Sequence, residues 1–325
     1  MVRNNYSEGV SINGRCLMNN MADKVVRLPE DIHLSFEVFP AKNALECAQM
    51  LSDLQPLIAY YPDYISVTYG AAGNNRDGTV QTAESIVQSA HLHSPDTHIA
   101  DRHTKVMAHL TLAGQSREQV ITVSEQFKAV GVQSILALHG DEPKAGKFIH
   151  KSGFKSSVEL ISCLANRGWQ SIRTTAYPDK HKNSRGSNAD LDWLLAKFDA
   201  GASEAITQFF FDADSFFNLR DRLDKYGYGN KITPGILSFS DIPKMQNFAK
   251  KCGVSIPNQI AYELSHADAK TSQALCVSIL ADLWLKLSSE GVKHYHIYTL
   301  NKVEPTLSLL ELLGVQKRIS RKNKA

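Results

Sequence analysis

Eight times along this chain, a short β-rich run is followed by a longer helical run. The short runs are 33–39 (HLSFEVF), 64–69 (YISVTY), 105–110, 134–139 (SILALH), 170–177, 204–211, 231–237 and 294–299. The helical runs after them cover about 44–60, 82–93, 117–129, 156–167, 189–200, 215–226, a long region 242–289, and 304–313. Strands that alternate with helices pair in parallel, because each crossover carries a helix. Eight such units in 325 residues fit a closed α/β barrel, the (β/α)8 or TIM barrel. An open doubly wound sheet would mark its nucleotide site with GxGxxG after the first strand. That motif is missing here; Gly227 and Gly229 make a GxG with no third glycine. Gly131, Gly168 and Gly227 follow helical runs, where a left-handed C-cap is expected. The seventh unit is the longest, and the runs 256–265 and 271–289 read as extra helices between strands seven and eight.

Composition narrows the class. Hydrophobic residues make up 43% and charged residues 21%, the balance of a globular chain rather than a disordered or collagen-like one. No run reaches the ~18 consecutive apolar residues of a membrane helix. A net charge of +3 is too small to mark a nucleic-acid binder. The five cysteines are scattered and form no CxxC, so neither a disulfide framework nor a zinc knuckle is expected. No apolar signal core stands in residues 1–21, and a cytoplasmic location is expected. One catalytic domain, 31–315, is expected between a flexible tail (1–30) and a basic tail (316–325). Apolar residues on the outer helices suggest a homo-oligomer.

Barrel active sites form where strands end and βα loops begin, so polar residues there are informative. The candidates are Glu37, Thr68, Tyr69, His109, Thr111, His139, Gly140, Asp141, Tyr177, Asp179, His181, Gln208, Tyr298, Thr299, Asn301 and Lys302. Glu37 lies between Phe36 and Val38. Burial disfavours a charged carboxylate, so its pKa is expected to rise into the range of a general acid. The competing reading pairs it with an interior cation. Asp141 reads either as a ligand acceptor or as a turn cap. His91, His93, His98 and His103 crowd a polar segment without metal-ligand spacing, and His294 and His296 share a strand face suited to packing. No metal site is expected. GxSxG is missing, so no serine nucleophile elbow is expected.

Eight segments carry a resemblance: SFEVFP (35–40), SVTYGA (66–71), AHLTLAG (108–114), HGDEP (139–143), AYPDKH (176–181), DAGASEAITQFFFD (199–212), PGIL (234–237) and YTLN (298–301). In this order and spacing they resemble the bacterial methylenetetrahydrofolate reductases, over about residues 34–315. The resemblance implies a barrel with non-covalent FAD and with NADH or NADPH as donor. The folate substrate would be reduced to 5-methyltetrahydrofolate, which feeds methionine synthesis. The nicotinamide donor and the folate would use one flavin face in turn.

By position, Glu37 resembles the acid that opens the substrate's ring, and Asp141 a carboxylate near flavin and pterin. Thr68, Tyr69, Ala71, His109, His139, Gly140, Asp141, Ala176, Tyr177, His181, Asp190 and Lys197 resemble flavin contacts. Gln208, Lys244, Phe248, Tyr298 and Lys302 resemble substrate contacts. The chain departs from the family pattern at His139, where Arg is common, and at Trp193, Ala196, Lys244 and Lys302. Two other readings stay open: a barrel enzyme with altered flavin use on a related pterin, and a non-catalytic folate-binding subunit.

Overall fold

The computed structural model describes residues 31–69, 76–92, 104–140, 150–181, 184–268 and 271–317. Ala71, Asp141, His93, His98 and His103, together with residues 1–30 and 318–325, lie outside the described residues.

The strands are β1 (His33–Val38), β2 (Tyr64–Val67), β3 (Lys105–Thr111), β4 (Ser134–Leu138), β5 (Ile172–Ala176), β6 (Glu204–Thr207), β7 (Ile232–Thr233), β8 (Gly235–Leu237) and β9 (His294–Tyr298). The helices are α1 (Ala44–Ile58), α2 (Arg76–Leu92), α3 (Arg117–Ala129), α4 (Ser157–Asn166), α5 (Ser187–Asp199), α6 (Ala213–Asp224), α7 (Ile242–Cys252), α8 (Asn258–His266), α9 (Ser272–Ser289) and α10 (Val303–Leu312). All strand pairs are parallel, in the order β7-β6-β5-β4-β3-β2-β1-β9-β8. β7 and β8 are consecutive in the chain, so the sheet closes on itself as a (β/α)8 barrel. The extra helices α8 and α9 lie between β8 and β9, the seventh and eighth strand runs of the sequence, as expected.

Three boundaries differ from the sequence reading. The seventh strand is two short pieces split at Pro234, which has no N–H to give a ladder. β7 pairs with β6 and β8 with β9, while the Pro234 carbonyl still accepts from His296 N. The sixth strand stops at Thr207. Beyond it Phe209, Phe210 and Phe211 are all buried. α2 begins at Arg76, not near 82. Gly78 discourages a helix start, but the buried Thr79, Ala83, Ile86 and Val87 anchor this one to the barrel.

Helix starts are chemically capped. Asn43, Ser156, Asp212 and Asp241 accept backbone N–H groups at the first turns of α1, α4, α6 and α7. Ser116 and Gln119 form a reciprocal capping box on α3. These caps aim the helices so that one strand face is covered. Leu34, Phe36, Val38, Val67, Ala108, Ala137 and Ile297 belong to that large outer core. A separate cluster of Tyr64, Met107, Leu136 and Ile206 fills the lumen. Below it, Arg173 Nε meets Glu204 Oε2 at 2.6 Å, and its guanidinium stacks 4.4 Å from the Tyr64 ring. His33 and His294, paired in register at the strand starts, stack flat at 4.4 Å, and Asp63 holds His33 Nδ1 at 2.9 Å.

Gly235 is where the barrel closes most tightly. A Cβ there would lie 2.2 Å from the Thr207 carbonyl and 2.5 Å from Tyr298 Cε2, while Gly235 N donates to Thr207 Oγ1 at 2.9 Å. Gly235→Ala is expected to cost about 2–3 kcal/mol through overpacking. A urea midpoint unchanged from wild type would contradict this close approach.

Candidate active site

Three strands, β1, β3 and β9, meet at Glu37. Alternation along β1 buries Phe36 and Val38 in the outer core and turns Glu37 into the lumen. His109 of β3 places Nε2 3.2 Å from Glu37 Oε2, and His296 of β9 places Nε2 3.6 Å from the same oxygen. Ser35, one turn of the pleat below Glu37, puts Oγ 2.8 Å from His296 Nδ1. Tyr298 stands edge-on to His296 at 5.2 Å and donates its hydroxyl to the Thr207 carbonyl at 2.7 Å. Thr299 Oγ1 donates to the Glu37 carbonyl at 2.6 Å, tying β9 to β1 at this level.

This arrangement corrects the expected pKa of Glu37. Burial pushes the carboxyl up, but the charge and hydrogen bonding of His109, then those of His296, outweigh it and hold Glu37 down at about 2. The sequence reading counted burial alone, because β3 and β9 are remote in the chain. His296 is fully buried, which lowers its own pKa against the pull of Glu37.

A second group lies on β4, β5 and α5. Lys197 is 6% exposed. Its Nζ donates to the Thr175 carbonyl at 3.1 Å, the one hydrogen bond it makes among the described residues. Burial lowers it to about 8, against the favourable field of Asp190. His139 is lowered by burial first, and then by Lys197 and His181, against a backbone contact with Gly140. His181 N donates to Asp190 Oδ2 at 3.0 Å, and its ring meets Tyr177 edge-on at 4.6 Å. A cleft of about 610 Å³ opens beside Tyr177 and Asp190, lined also by Asp179, Asp212, Arg222 and Pro257. An ammonium with spare donors beside two imidazoles suits an anionic oxygen such as a phosphate.

A third group is aromatic. Phe209 stacks on Phe248 of α7 at 5.5 Å and meets Tyr298 edge-on at 6.5 Å. Gln208 beside it accepts from Phe209 N through Oε1. Lys244 and Lys302 are both exposed, and both act on Asp241, which Lys244 contacts at 2.7 Å. Asn301 adopts a left-handed φ of 55°, which Asn tolerates, and clasps the Phe39 backbone through both amide atoms.

The remaining sequence candidates are placed differently. Tyr69 is buried and gives its hydroxyl to Gln115. Thr68 accepts from Thr79 Oγ1 through its carbonyl. The Ala176 methyl lies in the outer core, and its carbonyl already accepts from Gln208 N. Sequence reasoning passed over Ser35 and Phe209 and gave His296 only a packing role. The missed signal was strand parity: Ser35 and Glu37 share a face, and Ser35 pairs with His296 in register.

Fold and site together define an α/β barrel with an acid–imidazole cluster in its lumen and a buried ammonium, Lys197, at its side. The sequence pattern of the family described as methylenetetrahydrofolate reductase matches residues 22–314. The 5,10-methylenetetrahydrofolate reductase of Pectobacterium carotovorum is 34% identical over 292 residues, 89% of this chain and 93% of that protein. The one from Escherichia coli is 33% identical, over 88% of this chain and 92% of that protein. The chain belongs to the methylenetetrahydrofolate reductase family, a family of oxidoreductases. Among solved structures, a Clostridium thermocellum protein described as binding two copies of 5-methyl-5,6,7,8-tetrahydrofolic acid shares the fold, with a TM-score of 0.56 at 12% identity over 93% of this chain and all of that one.

The depressed pKa of Glu37 has a signed consequence. Its contribution to stability is present above the ordinary carboxylate value and is lost as pH falls towards about 2. In a carbon-13 titration Glu37 should stay ionised at pH values where exposed glutamates protonate. In His109→Ala, burial should prevail and the carboxyl should titrate well above its wild-type position. An unmoved titration would show that His109 does not hold the charge.

Proposed function

We propose that this chain reduces 5,10-methylenetetrahydrofolate to 5-methyltetrahydrofolate, with NADH or NADPH as electron donor and a non-covalently bound FAD between them. The observation that carries the reading is Glu37 in the lumen, with one carboxylate oxygen held by two imidazoles and the other without a partner among the described residues.

A bound FAD would supply hydride-transfer chemistry between a nicotinamide and the folate. The residues present fit that group. Lys197 has spare donors for a phosphate oxygen, its charge and that of His181 reach His139, and Tyr177 meets the His181 ring edge-on. Gln208 is suited to hydrogen-bond the pterin edge, and Phe209, Phe248 and Tyr298 to stack on flat rings. Lys244 and Lys302 suit the carboxylates of a folate tail.

Glu37 supplies the proton that frees the substrate's one-carbon unit from its bridging nitrogen. Its low pKa in the free protein does not oppose this role. A bound ring system over the lumen excludes water, and desolvation favours the neutral carboxyl. Exposed Leu45, Tyr226, Tyr262 and Leu312 on outer surfaces support a homo-oligomer. Among the described residues no helix is long and apolar enough to cross a membrane, and we place the enzyme in the cytoplasm.

The first test is optical. The purified protein should absorb near about 450 nm as a flavoprotein does, bleach with anaerobic NADH and regain colour with methylenetetrahydrofolate. Glu37→Gln should keep the bleaching step and slow the recolouring by about 10²–10⁴-fold, the usual worth of a positioned acid. Recolouring within about tenfold of wild type, a barrier change of ~1.4 kcal/mol, would remove Glu37 from the role. Lys197→Met should release FAD on gel filtration at salt concentrations where wild type retains it. Equal retention would place the phosphates elsewhere.

A further inference from the structure

The barrel end formed by the strand starts carries a set of ligating side chains that the proposed reaction does not use. His33 opens β1, His294 opens β9, and Asp63 immediately precedes β2. One ligand atom from each lies within 4.8 Å of the other two, and among the described residues no other three such side chains come so close. His33 pairs with His294 in the same ladder in which Glu37 pairs with Tyr298. Four residues of strand, about 13 Å, separate this end from Glu37. The sequence reading expected no metal site and gave His294 a packing role, because the three residues come from three separate segments.

Two of the three already stand at the spacing of metal ligands. Asp63 Oδ2 and Oδ1 lie 2.9 and 3.2 Å from His33 Nδ1. In a coordination sphere with bonds of ~2.0–2.1 Å, neighbouring ligand atoms are about 2.9–3.4 Å apart. His294 stacks on His33 at 4.4 Å with 8° between the planes. Its side chain is exposed, so a turn about χ2 brings one ring nitrogen towards the other two ligands. The backbone beneath is fixed. His33 N donates to the Lys293 carbonyl and Asp63 N to the Leu34 carbonyl, each at 2.8 Å, and Lys105 N donates to the Asp63 carbonyl at 3.2 Å. Ligands on such strand ends are preorganised.

The charges nearby favour a cation. Arg173 is neutralised by Glu204 at 2.6 Å, and Lys293 by Asp31 at 2.7 Å. Asp63 pairs with no lysine or arginine among the described residues, only with His33. Its negative charge is therefore not cancelled by a fixed cation.

We propose that His33, Asp63 and His294 bind one divalent transition-metal ion of the zinc type, which ties together the starts of β9, β1 and β2 at the end of the barrel away from Glu37. Two imidazoles and one carboxylate suit zinc rather than magnesium or calcium, which prefer oxygen alone. The ion takes the place of the proton through which His33 Nδ1 donates to Asp63, and that proton leaves to solvent. Water completes the coordination, since all three side chains are at least partly exposed. The inference is independent of the reductase reading.

The experiment uses the full chain, free of any histidine tag and stripped of metal with EDTA, and titrates it with Zn²⁺ by calorimetry. Wild type should take up a single ion per chain, with magnesium in excess not competing. X-ray absorption at the zinc edge should show imidazole nitrogen and oxygen ligands without sulfur. At zinc a hundredfold above its dissociation constant the thermal midpoint should rise by about 4 °C. Asp63→Asn and His294→Gln should each weaken binding by at least about tenfold and lose the thermal shift, with an unchanged circular dichroism spectrum. His294→Cys supplies a thiolate in place of the imidazole and should retain the ion, now with one sulfur ligand. His266→Gln, at an exposed histidine remote in the chain, should bind as wild type does. Zinc uptake unchanged in both Asp63→Asn and His294→Gln overturns the inference, because the ion then sits on other histidines or on a free cysteine. A wild-type chain that retains no zinc overturns it as well, and so does binding without a thermal shift, since an ion bridging three strands must stabilise them.

Discussion

A carboxylate cannot be enclosed in the lumen of a barrel without compensation, because burial penalises its charge heavily. The interior of this protein is organised around that constraint. Glu37 is met by imidazoles from β3 and β9. Lower in the lumen, Glu204 is met by Arg173 from the neighbouring strand. Each charge has its partner on a different strand, so both pairs depend on the register of the closed sheet. A slip of one residue would turn Glu37 outward into the helix-facing core and Phe36 into the lumen. The outer apolar core and the inner polar pairs therefore specify the same register from opposite faces, and agreement between levels of this kind favours a single native state.

The same closure builds the site. β9 brings His296 and Tyr298 beside β1, and its loop clasps the Phe39 backbone through Asn301. Interruption of the seventh strand at Pro234 lets Gly235 pass within contact of Thr207 and Tyr298, which draws the aromatic wall of Phe209, Phe248 and Tyr298 to the edge of the lumen. On the other side, Lys197 reaches from α5 to the end of β5, and its charge and that of His181 bear on His139 at the end of β4. The Glu37 cluster, the aromatic wall and the buried Lys197 thus come from separate strands and helices of the barrel. That is how a barrel supports chemistry without disturbing its core.

Membership in the methylenetetrahydrofolate reductase family places this geometry in a family of oxidoreductases. His139, at the end of β4, is a half-buried imidazole whose pKa burial lowers, with the charge of Lys197 acting in the same direction.

What the sequence determined by itself was local and periodic. The eightfold alternation, the apolar strand faces, the glycines after helical runs at Gly131, Gly168 and Gly227, and the position of Glu37 in an apolar strand all follow from neighbouring residues. The motifs around Glu37 and Gln208 were also readable, since each is a short contiguous string. The tertiary structure alone decided the electrostatics. A raised pKa for Glu37 was the correct inference from burial, yet two imidazoles from distant strands reverse it. It also decided that His296 contacts an acid rather than packing alone, that Ser35 contacts His296, and that Phe209 belongs to the wall. These properties depend on which side chains face each other across the lumen, and strand register around a closed sheet sets that through contacts no single segment contains.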